Sequence, residues 1–243
     1  MSPVIWTPTE LESKSSQLAS EVWRCISPDS IRPLVKLVDT PEEVDLLQEL
    51  LEISASPSPA QFAGYNPVIS GPFKRRPGTL PESRFRGIGD AGVFYSAFDM
   101  RTALCEYSWH QAKYRSHSEG LASVKAIPMQ IFSVNVKLSV VDLGDSYFSS
   151  SRSSLLAKSN YAESQRFARI LRKSKVQGAR HVSVRNIEGG ECLAIFDILG
   201  IASKEPSFHD ENWWLSFSGN TAYVQHDRLV GSGEEHSFTL QLE

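Results

Sequence analysis

The stretch SASPSPAQFAGYNPVISGPFKRRPGTLPES, residues 54–83, most constrains what this chain can build. Serine, proline and glycine crowd it, and no hydrophobic period runs through it. Proline also removes the backbone donors that helices and ladders need. Regular elements must therefore gather on either side, and the stretch itself reads as a linker or as a long ordered loop over one face.

The side before it carries helix-start signals. In TPTELESKSSQLASEVWRCI (7–26), Thr7 is a natural N-cap, Pro8 suits the first helical position and Glu10 completes a capping box. Leu11, Leu18, Val22 and Trp23 follow at roughly helical spacing, so a helix through the segment is expected. DTPEEVDLLQELLEI (39–53) repeats the device with Thr40, Pro41 and Glu43 ahead of Val44, Leu47, Leu50 and Leu51, which predicts a second helix.

The side after it alternates. GVFYSAF (92–98) reads as a strand, and Asp99 is placed to cap a helix from about Met100 to Tyr114. Residues 127–141 alternate as one or two β segments, and 156–174 read as a helix with basic residues at its C-terminal end, where the dipole favours them. ARHVSVRN (179–186) and GGECLAIFDILG (189–200) predict short strands. WWLSFSG, TAYV and HSFTLQL predict late strands with one apolar face. Strands and helices mix without regular βαβ repetition, so the fold class is α+β. The organisation expected is a helical section with its connection over residues 1–80 and a main domain over 81–243, or one continuous domain.

A net charge of −3 gives no global pull toward nucleic acid, and 41% hydrophobic with 22% charged residues is a globular balance. The basic run FKRRPG (73–78) reads as a solvated loop. Cys25, Cys105 and Cys192 are odd in number and far apart, which argues against a disulfide framework or a zinc site and for a reducing compartment. MSPVIWTPTELES lacks the basic start and apolar run of a secretory signal, and no stretch approaches a membrane span. A cytoplasmic protein is expected, with no membrane and no direct nucleic-acid partner.

Four places invite a chemical reading. Glu106 sits beside Ala103, Leu104 and Tyr107, near the apolar stripe of its helix, where a carboxylate is costly unless paired or facing a polar cleft. Its bland reading is a boundary residue turned to solvent. In SRFRG (83–87), Arg84 and Arg86 flank Phe85 and point one way if the piece is extended, ready for a phosphate or an acid. Surface cations are the ordinary alternative. Tyr95 is a core aromatic or a ring facing a ligand, and Ser183 is a loop serine unless a partner is found for it. Glu106 and His110, four apart, form a candidate metal pair that no further motif joins. There is no GxSxG elbow and no GxxxxGK[ST] loop. GIGDAG (87–92) is followed by a strand, the wrong order for a dinucleotide fingerprint.

Together these features have an order: an arginine–aromatic pair, a strand tyrosine, a helix glutamate, then a distal Ser-x-Arg with a Gly-Gly turn. That order resembles the RES domain family, the toxin half of bacterial RES–Xre toxin–antitoxin pairs. The likeness runs through RFRGIGDAGVFYSAFDMRTALCE, VVDLGD, NYAESQRFARIL and SVRNIEGGECLAIFD, roughly residues 84–198. Two departures stand out. Arg86 follows Phe85 where the family usually has Asn, and the spacing from Arg84 to Tyr95 is one residue longer than usual. Either Arg84 or Arg86 is then the working arginine, with Arg84 preferred because it directly precedes the aromatic.

The resemblance implies an ADP-ribosyltransferase-like mixed β core flanked by helices. It implies consumption of NAD⁺ as substrate, by hydrolysis or by phosphorolysis with phosphate as co-substrate, or transfer to a protein. Glu106 would stabilise the cation that develops at the ribose, and Arg84 or Arg86 would grip the pyrophosphate. Tyr95 would face nicotinamide with its hydroxyl available, Ser183 would bond the ribose or the amide, and Arg185 would support phosphate or Glu106. No metal and no resident cofactor is called for, and a helix-turn-helix antitoxin of the Xre type is the implied partner. A non-enzymatic binding module is the reading that uses none of this chemistry.

Overall fold

The structure is a computed structural model that describes residues 5–28, 60–74, 82–115, 126–226 and 237–241, with Thr40, Glu42, Glu43 and Leu46 between the first two ranges. Five helices are described: α1 (Pro8–Ser13), α2 (Pro67–Lys74), α3 (Met100–Arg115), α4 (Arg152–Leu155) and α5 (Ala162–Leu171). Eight strands form one sheet: β1 (Ser16–Ile26), β2 (Phe94–Ala97), β3 (Ile127–Asp142), β4 (Gly178–Val182), β5 (Glu191–Ile195), β6 (Ser207–Ser218), β7 (Thr221–His226) and β8 (Ser237–Gln241). The α+β class read from the sequence is the class observed.

The long strand β3 organises the sheet. Val140 is opposite both Ser16 of β1 and Gly178 of β4, so those strands occupy its two edges. The edge shared with β4 also takes β6 at its other end, through Ile127–Leu215 to Ser133–Ser207. The order β1-β2-β5-β4-β3 closes through the β1–β3 ladder, and β6-β7-β8 extend from it. Inside the closed part lie Val22, Phe94, Phe132, Leu138 and Ile195, with Val68 and Ile69 of α2 packed against them. A second cluster joins Ala103, Leu104 and Cys105 of α3 to Met129, Trp213, Leu215 and Val224, so the tail strands cover this helix. A third gathers Leu11, Phe85, Phe148, Phe167 and Leu171.

The helix expected over residues 7–26 is corrected. Its start is as read, with Thr7 Oγ1 accepting from the Glu10 amide (3.2 Å), but it stops at Ser13 and the chain continues as β1. Leu18, Val22 and Ile26 are four residues apart, a spacing that serves a helix face and equally a strand of period two. Tertiary pairing decides: eleven residues of β1 match eleven of β3, from Ser16–Val140 to Ile26–Gln130. The other strand face then carries Trp23 and Cys25 to the second cluster.

The helix expected over 156–174 begins only at Ala162, because the carbonyls of Leu155, Ala157 and Lys158 accept from arginine side chains instead of from a helix. The linker-or-loop reading of the Pro/Ser/Gly-rich stretch is corrected as well: it contains a helix, α2, whose Val68 and Ile69 gain burial against the sheet despite Pro72 within it. The Thr40–Glu43 capping box is formed in both directions (3.1 and 3.3 Å), while most of the helix expected after it lies outside the described residues. Most of the FKRRPG run lies outside them too. All three cysteines are free and buried, and burial pushes the Cys105 thiol up to about 12.

Candidate functional site

A cavity of about 190 Å³ opens where β1, β2, α3, β4 and β5 meet; one water needs only roughly 10–15 Å³, so the space is on the scale of a ligand. Arg84, Tyr95, Glu106 and Arg185 all line it. Ser183 is bonded to Glu106 from behind that lining. Arg86 is not among the residues that line the cavity.

The carboxylate wall is built from α3 and the loop between β4 and β5. Asp99 caps α3 by accepting from the Thr102 amide (2.7 Å), as the sequence suggested. Glu106 follows at the margin of the buried stripe Thr102–Cys105. Ser183 Oγ donates to Glu106 Oε1 (2.6 Å) and accepts from the backbone amides of Arg185 (3.1 Å) and Asn186 (3.0 Å). The Cys192 thiol also points at Oε1 (3.7 Å), and burial next to that carboxylate raises its pKa well above the usual value, so it stays a thiol. Among the described residues lining the cavity, Glu106 is the one carboxylate.

The rest of the lining is cationic and aromatic, and Arg185 spans both sides, sitting on the Ser183 loop and reaching the 155–158 segment. Arg84 Nη1 donates to the carbonyls of Leu155 (3.1 Å) and Ala157 (3.0 Å), and its guanidinium lies 5.5 Å from the Tyr161 ring centroid. Arg185 donates to the Lys158 carbonyl and stacks 3.3 Å from the centre of Trp109. Burial lowers the Arg185 pKa, but a guanidinium remains charged throughout the physiological range. Two guanidiniums, Arg84 and Arg185, thus share the lining with one carboxylate, an arrangement suited to an anionic ligand with one locally cationic centre. The Arg24 guanidinium lies instead over the Phe94 ring, 4.5 Å from its centroid.

Two expectations are corrected here. SRFRG is a tight turn, not an extended piece: the Ser83 amide donates to Arg86 O (2.8 Å) and the Arg86 amide to Ser83 O (3.1 Å). Phe85 is wholly buried at its tip, worth about 1.5–3 kcal/mol of transfer free energy, and the two arginines diverge around it. Gln165 Nε2 donates to Ser83 O (3.2 Å) and Ser164 Oγ to Arg84 O, which fasten the turn to α5. The Tyr95 hydroxyl is likewise not available: it accepts from the Phe85 amide (3.0 Å) and pairs with Ser83 Oγ (2.9 Å). Burial raises its pKa, so the phenol stays neutral, and what Tyr95 offers the cavity is its ring.

Sequence reasoning missed Trp23, Arg24, Cys25, Tyr161 and His181, all in the lining. The first three arrive through β1, whose strand period was hidden by its four-residue spacing. Tyr161 was read as part of the helix expected over 156–174, and the structure places it just before the helix begins. His181 is buried, its Nδ1 2.9 Å from Val182 O, and burial lowers its pKa. His110 lines the cavity with Glu106, and among the described residues no group of three or more acidic, histidine or cysteine side chains is arranged to hold a metal ion.

Fold and cavity together define an α+β protein with a single buried-edge carboxylate facing a cationic, aromatic cleft. Residues 59–218 match the model of the RES domain, and the chain belongs to that family. The crystal structure of the M. tuberculosis MbcT–MbcA toxin–antitoxin complex contains a similar chain, 10% identical, with a TM-score of 0.47 over 86% of this chain and 90% of that one. No curated protein matches the sequence.

Proposed function

We propose that this protein is a toxin that cleaves the nicotinamide–ribose bond of NAD⁺. The observation that carries the reading is Glu106, held by Ser183 at the edge of a cavity whose other charged lining is guanidinium. Departure of neutral nicotinamide leaves positive charge on the ribose, and a fixed carboxylate stabilises charge that appears only in the transition state. The bond electrons leave with nicotinamide, and water adds to the ribose carbon with loss of a proton, giving ADP-ribose. With phosphate as acceptor the product is ADP-ribose 1″-phosphate.

Arg84 and Arg185 suit the pyrophosphate, and the ring of Tyr95 suits the flat nicotinamide. The Ser183 hydroxyl turns one Glu106 oxygen into a fixed acceptor and leaves the other for the ribose 2′-hydroxyl, a carboxylate–sugar contact familiar from glycoside chemistry. As a RES-family toxin the protein pairs, in this proposal, with a helix-turn-helix antitoxin that keeps the cleft closed.

The test is nicotinamide release by the purified protein from NAD⁺, with and without phosphate, beside Glu106→Gln. Release by the wild type alone supports the reading, and a phosphate requirement names the acceptor. Equal release by both proteins removes Glu106 from the chemistry. Label from adenine-labelled NAD⁺ that stays on protein would redirect the assignment to protein ADP-ribosylation. Growth arrest on expression of wild type but not of Glu106→Gln tests the toxin role.

A further inference from the structure

Behind the cleft, a one-way chain of hydrogen bonds ties the helix that carries Glu106 to the loop that carries Ser183. Asp99 Oδ2 accepts the Thr102 hydroxyl proton (2.7 Å), so Thr102 Oγ1 meets Asn186 Nδ2 (2.9 Å) as an acceptor. That fixes the Asn186 amide, whose Oδ1 accepts from the Glu188 backbone N–H (3.2 Å). The Asn186 backbone N–H donates to Ser183 Oγ, and with the Arg185 N–H it fills the acceptor side of that hydroxyl. The Ser183 proton then has one direction left, toward Glu106. Thr102 and Glu106 are four apart and share a helix face, so the loop is clamped to α3 at two successive turns. Thr102 is wholly buried and Asn186 nearly so. Gly190 makes the approach possible: at φ +145°, a Cβ there would fall 2.1 Å from Thr102 Oγ1.

We propose that Thr102 and Asn186 are positioning residues that set the Ser183–Glu106 pair for the reaction, acting through Ser183 and not on substrate. Their catalytic consequence rests on the function proposed above; the clamp itself does not. Losing it frees the loop to drift, and misplacement of a reacting group by about 1 Å can cost on the order of a hundredfold.

The variants are Thr102→Val, which keeps shape and removes both hydroxyl bonds, and Thr102→Ser, which restores them. The first readout is hydrogen exchange at the Arg185 and Asn186 amides, which needs no substrate. Exchange is expected to rise several-fold in Thr102→Val and to stay near wild type in Thr102→Ser. The second is steady-state nicotinamide release. Thr102→Val is expected to lower kcat about tenfold, with a smaller rise in KM because the same loop carries Arg185, which Lys158 and Trp109 still hold; Thr102→Ser is expected to recover most of the kcat, and Thr102→Val to add no kcat penalty in a Ser183→Ala background. Unchanged exchange at the two amides, or a full penalty that persists without Ser183, overturns the proposal. A wild type that releases no nicotinamide refutes the reaction, and exchange alone then decides the clamp. Should Thr102→Val not fold, Asn186→Ala breaks the same contact from the loop side and is read in the same way.

Discussion

The two walls of the cleft are held by different physics. On the carboxylate wall, Glu106 is fixed by a short hydroxyl bond, and Ser183 is fixed in turn by two backbone amides. On the cationic wall, the Arg84 guanidinium, joined by that of Arg185 reaching over from the Ser183 loop, is fixed by carbonyls of the 155–158 segment and by aromatic faces. Directional bonds in a chain set one atom at one place, which suits a group that must meet a charge as it forms. Stacking sets a plane while the carbonyl bonds orient the guanidinium fork within it, which suits groups that hold a diffuse diphosphate through their remaining donors. The comparison predicts that damage to the first wall is read in kcat and damage to the second in KM.

The largest effect falls on the carboxylate wall. Glu106→Gln keeps the shape and removes the charge, and kcat for nicotinamide release is expected to fall by about 10²–10³, with the unfolding midpoint within about a degree of wild type. Next is the turn that carries Arg84. Tyr95→Phe leaves the Phe85 amide without its acceptor, at an expected cost of about 1–3 kcal/mol in urea unfolding. Arg84→Lys follows. A point charge cannot hold the Leu155 and Ala157 carbonyls and lie over Tyr161 together, so KM is expected to rise about tenfold, the equivalent of one charge-assisted hydrogen bond, with kcat nearly unchanged. A kcat loss in Arg84→Lys as large as that in Glu106→Gln would break the division between the walls.

The smallest effect is a pH slope. Burial holds the folded His181 below the unfolded value of 6.5, so below that pH the unfolded chain takes up the proton first. Stability is therefore full above 6.5 and declines as pH falls toward the folded value. His181→Gln is expected to flatten this acid slope by less than about 1.4 kcal/mol per pH unit, measured by urea unfolding across that range.

Local chemistry was legible from the sequence alone. The caps at Thr7, Thr40 and Asp99 could be read because each depends on residues within three positions. The strand and helix that carry Tyr95 and Glu106 could be read for the same reason, since period and cap agree there. The β1 strand could not, because Leu18, Val22 and Ile26 satisfy two periods and only an eleven-residue partner in β3 chooses between them. The extended reading of SRFRG failed similarly, since its turn is closed by Tyr95 and Gln165 from other elements.

What the sequence by itself determined was the class of the fold, where its best-capped helices start, and the residue types available for chemistry, because these follow from short-range propensity and period. Tertiary structure alone decided that Ser183 meets Glu106 across 77 residues, that Arg84 faces the cleft while Arg86 does not, and that β1 brings Trp23, Arg24 and Cys25 into the lining. Those outcomes depend on contacts between distant segments, whose closure no local pattern encodes.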